Sequence, residues 1–474
     1  MADGTAAPMI LWLDVEDLFH YALRNPRPSG IQRLTYELYA ELQALLGEQV
    51  RFCRHDPVGN ALRTVPWEAV RQLFTGLLAP PVEPMRPAPT QPPASGGSLV
   101  RSLAGRLPLE MRDQLMQTLA SQRQALSAQG AALRSGSRAL RAVPTLLRGA
   151  VRRRSDGDFL EGQDIRELAG PEDVLSALGS SWFHPDYAGF IARATAGRPL
   201  RIALLIHDLA PLLRPEWFDA GLVRVFQRWF EAFAPRADHL FAVSDATARD
   251  VERWAARDGT RLNLPVRTLP VGTGFSGPAV EAAASLPAGL VPGGYVLFVS
   301  TIEARKNHLL AFRAWRRMVE EMPPETVPRL VFAGRTGWLV QDLMQMLENC
   351  GHLGGKVVVV PGPTDAELAA LYRGCRFTLF PSLYEGWGLP VTESLSFGKF
   401  CIASDRTAVP EAGGSFCHYI DPEDITGATE TIRRACTDDA LIAEREATIR
   451  EGFRPVPWRR SAQVLARHLG IAPG

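Results

Sequence analysis

Lysine is nearly absent from this chain. Of 52 Lys and Arg residues only Lys306, Lys356 and Lys399 are lysines. Cysteine is scarce as well: Cys53, Cys350, Cys375, Cys401, Cys417 and Cys436 form no CxxC pair and no metal-ligand spacing. They read as small buried hydrophobes in a reducing compartment, which argues against a disulfide framework or a zinc site. No uninterrupted apolar run approaches the ~18 residues of a membrane span. Met1 to Pro8 lacks the basic start and apolar run of a secretory signal. Net charge is also slight, +1, so no overall field draws in nucleic acid and no such partner is expected. A cytoplasmic protein is the expectation.

What is present is ordinary for a soluble enzyme: 474 residues, 46% hydrophobic and 22% charged. At roughly 150 residues per domain, that length suggests two to three domains. The positive charge is uneven. From Arg86 to Arg154 there are twelve arginines against only Glu110 and Asp113. This insertion, about 80–162, opens on a proline-rich stretch (Pro80 to Pro93) and continues rich in Leu, Gln, Ala and Arg. Leu119, Leu126, Leu133, Leu140 and Leu147 recur every seven residues. The intervening Gln122, Gln129 and Gly136 give a partner helix nothing to pack on, so a coiled coil is disfavoured. A helix with one narrow apolar stripe flanked by Arg123, Arg134, Arg138, Arg141 and Arg148 suits an anionic membrane surface, bound peripherally through residues 98–154. A solvated insertion, favoured by Gly130, Gly136 and Pro144, fits equally well.

Outside the insertion, strands and helices alternate. Met9–Val15 reads as a strand, Asn25–Gly30 as a turn and Ile31–Leu46 as a helix, with apolar residues at helical spacing. Leu200–His207, His239–Val243 and Val266–Val271 read as strands, and Trp217–Phe233 and Ser244–Ala255 as helices. The second half assigns strands to Tyr295–Ser300, Arg329–Ala333, Lys356–Val360, Arg376–Phe380 and Phe400–Ala403. Helices fit Asn307–Glu321, Trp338–Cys350, Asp365–Tyr372, Pro390–Phe397 and Asp424–Cys436. Such alternation predicts an α/β protein with parallel sheets covered on both faces. The expected division is a first domain over 1–275, a linker over 276–294, a second domain over 295–455 and a C-terminal helix over 456–474. Two Rossmann-like domains facing a cleft place the site outside the carboxyl ends of their strands.

Unusual residues fall at those ends. In Phe380–Glu393, FPSLYEGWGLPVTE, a strand runs into a loop and then a helix. Gly386 and Gly388 permit close backbone approach, and amides around Leu389 point out of a helix N-terminus, which favours an anion. Glu385 and Glu393 have seven residues between them and suit hydroxyl-rich groups rather than phosphate. Arg305 and Lys306 follow a strand end; in a chain this poor in lysine, Lys306 suits a compact charge for phosphate. His207 and Asp208 close a buried strand, and Gly30 opens the first long helix.

Together with Pro410-Glu411-Ala412-Gly413 and Ser29-Gly30-Ile31-Gln32-Arg33, these strings resemble retaining glycosyltransferases of family 4, which have the GT-B fold. The resemblance covers nearly all of the second half and the first half in pieces. It implies that Glu393 binds the nucleotide ribose and that Glu385 contacts the donor sugar. The backbone at Gly388 and Leu389 would meet the phosphates, joined by Gly30 from the first domain, and Gly386 would also lie against the donor. Lys306 with Arg305 would stabilise the departing diphosphate. His207 would bond the sugar near its anomeric centre, with Asp208 beside it. Gly334-Arg335 and Pro361-Gly362 would line the nucleotide pocket. Ser300-Thr301 departs from the Gly-Thr or Gly-Arg of many relatives. Bacterial relatives with this string often act in surface-polysaccharide assembly, so a GDP-mannose donor and a lipid-linked or oligosaccharide acceptor are expected. A non-catalytic sugar- or nucleotide-binding relative acting as a membrane-docked assembly partner is the alternative. No cofactor and no metal are expected: Asp156-Gly157-Asp158 matches the DxD of the other main glycosyltransferase fold but does not follow a strand. Gly272 to Gly277 matches GxGxxG but is followed by Pro278 rather than a phosphate-binding helix.

Overall fold

The computed structural model describes residues 8–78, 162–198, 200–274 and 285–472. Two sheets organise them. The N-terminal sheet comprises β1 (Leu11–Asp14), β2 (Val50–Asp56), β3 (Ala61–Val65), β4 (Val174–Ala177), β5 (Arg201–Ile206), β6 (His239–Ala242) and β7 (Arg267–Thr268), in spatial order β3-β2-β1-β4-β5-β6-β7. Among these seven described strands only the β2–β3 pair is antiparallel. The C-terminal sheet comprises β8 (Tyr295–Val299), β9 (Arg329–Ala333), β10 (Val357–Val360), β11 (Thr378–Phe380), β12 (Cys401–Ser404) and β13 (His418–Ile420). All six are parallel, in the order β10-β9-β8-β11-β12-β13. Counted within each lobe, both orders begin 3-2-1-4-5-6, the doubly wound Rossmann arrangement.

Burial explains the elements. β8 is apolar because both its faces are covered: Val296, Leu297 and Phe298 are fully buried. The helix Gly30–Leu46 carries Leu34, Leu38, Leu42 and Leu46 on the face that packs onto the N-terminal sheet. The last helix, Trp458–Leu469, returns from the C-terminal lobe to that same core through Trp458, Ala462, Leu465 and Leu469. Gly272 is shaped by this return: a Cβ there would fall 2.2 Å from the Trp458 ring.

Some boundaries differ from the sequence reading. The helix read from Trp217 starts at Ala220, because the Asp219 carboxylate accepts from the amides of Gly221 and Leu222 and caps it. Pro215–Trp217 forms a separate turn. The helix read from Trp338 starts at Gln341, since Leu339 has φ 56° and interrupts it. β2, β3, β4 and β13 carry no sequence assignment: β4 and β13 are short, and β2 and β3 are broken by charge. The Arg-rich insertion with its leucine heptads, and Asp156-Gly157-Asp158, lie outside the described residues. Among the described residues no helix is long and apolar enough to cross a membrane.

Candidate active site

In a doubly wound sheet the loops leaving the strands where the order reverses diverge and leave a crevice. In the C-terminal lobe those strands are β8 and β11. The loop after β8 carries Arg305 and Lys306, and the loop after β11 carries Glu385. The fold thus brings together residues about eighty positions apart. Lys306 Nζ lies 2.5 Å from Glu385 Oε1 and Arg305 Nη1 lies 2.9 Å from Oε2. Arg305 also donates to the Tyr384 carbonyl at 2.8 Å and pairs with Glu303 at 2.9 Å. The Leu383 amide donates to the Arg305 carbonyl at 2.8 Å, tying one loop to the other. Burial alone would raise the Glu385 pKa, but Arg305 and Lys306 outweigh it and hold the carboxyl at about 2.

Glu393 sits further along, in the helix Leu389–Ser396, which Gly388 caps with φ 122°. It is buried and accepts from the Tyr372 hydroxyl at 2.9 Å. Burial raises its pKa, against the pull of Arg33 and the Tyr372 hydroxyl. The two glutamates therefore differ in setting as well as position: Glu385 lies between cations, and Glu393 lies beside a phenol.

The N-terminal lobe reaches the same place. His207 follows β5 and is buried, and its Nε2 lies 2.9 Å from the Leu178 carbonyl. A carbonyl only accepts, so Nε2 carries the hydrogen. Burial lowers the His207 pKa, so the ring stays neutral and its Nδ1 is an acceptor. The Asp208 carboxylate accepts from the Ala210 amide at 3.0 Å, and its charge is felt by Arg305. Gly386 touches the backbone here: a Cβ would fall 1.8 Å from the His207 carbonyl oxygen. Gly30 opens the helix Gly30–Leu46, and a Cβ on it would lie 3.6 Å from Leu389 Cδ1. Two helix N-termini, one from each lobe, thus meet at Gly30 and Leu389.

Other expected residues lie at the rim. Gly334-Arg335 follows β9 and Gly362 follows β10. Gly334 is pressed on Ser300, where a Cβ would fall 1.9 Å from its carbonyl oxygen. Arg335 turns to the N-terminal lobe and donates to Asn25 at 2.7 Å. Gly362 has φ 55°, and open space surrounds its Cβ position.

The sequence reading did not single out several neighbours. Arg33 makes a two-pronged ion pair with Asp365 of the opposite lobe, at 2.6 and 2.9 Å. Arg33 falls inside the quoted Ser29–Arg33 string, which was the available signal. At the N-terminal lobe's own reversal point, between β1 and β4, His55 Nε2 and the Tyr187 hydroxyl lie 2.8 and 2.6 Å from the Asp14 carboxylate. Asp17 accepts from the Ser180 amide there at 3.1 Å, while its buried Oδ1 has no hydrogen-bond partner among the described residues. Burial raises the Asp17 pKa to about 7. Among the described residues no group of three or more His, Cys, Asp or Glu is placed to hold a metal ion.

Two Rossmann-like lobes that meet at the carboxyl ends of their strands define the GT-B class. The solved structure of trehalose-6-phosphate from E. coli bound with UDP-2-fluoro glucose shares the fold, with TM-score 0.50 and 18% identity over 65% of this chain and 76% of that one. Residues 292–454 match the family Glycosyl transferases group 1, and over them the chain carries a glycosyltransferase domain of that group. The serotype-specific mannosyltransferase WbdA of Escherichia coli is 30% identical over 66% of this chain and 39% of its own length. The O-antigen chain mannosyltransferase B of Escherichia coli is 27% identical over 56% of this chain and 70% of its own. The chain thus spans about two fifths of the length of the first relative.

Proposed function

We propose that this protein transfers a hexose, with retention of configuration and without a metal, from a nucleoside-diphosphate sugar to a glycan acceptor. Mannose carried on GDP is the donor we favour, supported by the mannosyltransferase relatives. A lipid-linked or polysaccharide acceptor at a membrane surface is the acceptor class, with the Arg-rich segment 98–154 turned to anionic lipid. The observation that carries this reading is the Lys306–Glu385–Arg305 cluster at the β8/β11 crevice, facing His207 across the lobe boundary.

Breaking a sugar–phosphate bond builds negative charge on the diphosphate and positive charge at the anomeric carbon. Lys306, Arg305 and the helix N-termini at Gly30 and Gly388-Leu389 supply fixed positive potential for the leaving group, which needs no reorganisation as the charge develops. Glu385, already ionised, accepts from a donor-sugar hydroxyl and sets the sugar against the cations. Glu393 takes the ribose hydroxyls. The neutral His207 ring accepts a hydroxyl hydrogen through Nδ1, close to the anomeric centre. Asp208 lies beside it and adds negative charge near the developing cation. Retention follows from attack on the face the diphosphate leaves, its oxygen taking the acceptor proton.

A thermal-shift screen of nucleotide sugars tests this reading. A bound donor at a hundred times its dissociation constant stabilises by about 2.7 kcal/mol, and the shift should be smaller in Lys306→Ala. Equal shifts in both proteins, or none with any donor, contradict it. Sedimentation with anionic vesicles tests the lipid contact: binding should weaken when residues 98–154 are deleted, and unchanged sedimentation contradicts it.

A further inference from the structure

The Pro410–Gly413 turn has no part in the reaction just proposed, yet its carboxylate leaves its own lobe. Glu411 lies on the short helix Val409–Gly413 of the C-terminal lobe. Its Oε2 accepts from the Asp245 amide and its Oε1 from the Ala246 amide, each at 2.7 Å, and Arg249 Nη2 lies 3.3 Å from Oε1. Those amides open the 14-residue helix Asp245–Asp258 of the N-terminal lobe. Within its own lobe, Ser244 accepts from the Thr247 amide at 3.0 Å. The first N–H groups of a helix lack intrahelical partners and form its positive end. Here one lobe builds the helix and the other supplies a carboxylate that caps it.

Two further contacts fall on the same helix. The Tyr384 hydroxyl donates to Asp250 Oδ2 at 2.5 Å, and the Thr247 hydroxyl donates to the Gly386 carbonyl at 3.4 Å. Tyr384 and Gly386 flank Glu385. The segment carrying Glu411 also holds Glu385 directly: the Thr407 hydroxyl accepts from the Glu385 amide at 2.9 Å and donates to its carbonyl at 3.0 Å. Thr407 does this from φ 51°, a conformation that threonine seldom adopts. The stretch 407–411 therefore grips the Glu385 backbone at one end and the N-terminal lobe at the other.

We infer that Glu411 is a positioning residue that couples closure of the lobes to the placement of Glu385. With the lobes together, the carboxylate and two amides satisfy one another; with the lobes apart, all three are hydrated. The difference is modest, as for any exchange of protein for water hydrogen bonds, which suits a contact that must open on every turnover. Its effect on turnover rests on the reaction proposed above, but its effect on lobe separation does not.

The test measures inter-lobe distance by pulsed electron resonance without nucleotide. One spin label goes on Cys350, the exposed native cysteine, and one on Val58→Cys, an exposed site in the N-terminal lobe. In Glu411→Ala the distribution should move to longer separations. Glu411→Gln, which keeps one acceptor oxygen, should fall between that and wild type. The donor kcat/KM should fall about tenfold to thirtyfold in Glu411→Ala and less in Glu411→Gln, with far-ultraviolet dichroism unchanged. Identical distance distributions in all three proteins overturn the inference, whatever the rates. Longer separation in Glu411→Ala with no sugar transfer by wild type keeps the coupling and overturns the proposed reaction instead.

Discussion

Lys306 Nζ and Glu385 Oε1 lie 2.5 Å apart although 79 positions separate them in the chain. Both side chains are nearly buried, and Arg305 holds the second carboxylate oxygen. A single negative charge thus lies between two cations that, in the proposed reaction, meet a diphosphate. Removing it takes the carboxylate away from the nearly buried Lys306 and leaves Arg305 with Glu303 alone.

Glu385→Ala should therefore cost about 3 kcal/mol of stability, as breaking a buried ion pair does, and should remove nearly all turnover while the fold persists. Glu385→Gln keeps the shape and should also lose turnover. The carboxyl is held below its ordinary value, at about 2, so its contribution to stability is present above pH 4.5 and lost as pH falls toward 2. Thermal melts of wild type and Glu385→Gln from pH 7 to pH 2.5 check this: their difference should shrink only in the acid range.

The crevice residues were legible in the sequence because they are chemically odd where they stand. Lys306 is one of three lysines, and Glu385 lies in a glycine-bearing loop between an apolar strand and Pro390. β8, β9, β11 and β12 were legible for a related reason, since strands buried on both faces read as short apolar runs, and the edge strand β10 is four valines in a row. β4 has only four residues, and in β2 alternation fails: Phe52 and Cys53 are buried side by side, and Arg54 reaches out to pair with Glu16. Those patterns leave no clear period. The Arg33–Asp365 and Glu411–helix contacts were illegible for a different reason: a pairing across 332 or 166 positions has no local signature.

His207 donates from Nε2 to the Leu178 carbonyl, and burial holds its pKa below 6.5. The pH profile of donor kcat/KM should accordingly stay level as pH falls from 8 through 6.5. An acid limb at or above pH 6.5 that disappears in His207→Gln would contradict the neutral ring.

Asp17 gives a stability prediction of opposite sign to Glu385. Its carboxyl is raised from 3.8 to about 7, so the folded protein holds a proton that the unfolded chain releases between those values. Its contribution is therefore full below pH 3.8 and is lost as pH rises toward 7. Asp17→Asn cannot ionise. Relative to that variant, the wild-type midpoint should fall between pH 4 and 7 and then level off. A constant difference across that range would show that Asp17 titrates normally.

Gly386→Ala should act on the lobes rather than on the local backbone. The added Cβ falls 1.8 Å from the His207 carbonyl oxygen, and relief comes most directly from parting the lobes. Turnover should drop by about a hundredfold or more, with little change in the melting temperature. A variant of wild-type activity would show that the close approach is not needed.

In the proposed reaction the crevice between β8 and β11 activates a nucleotide sugar for transfer. The most direct measurement of this follows isotope-labelled sugar from GDP-mannose, and from other nucleotide sugars in parallel, into lipid-linked and polysaccharide acceptors. Wild type should move label from one donor into acceptor, and Lys306→Ala and Glu385→Gln should move almost none. Label transferred equally by all three proteins, or wild type that binds donors and transfers from none of them, would contradict it.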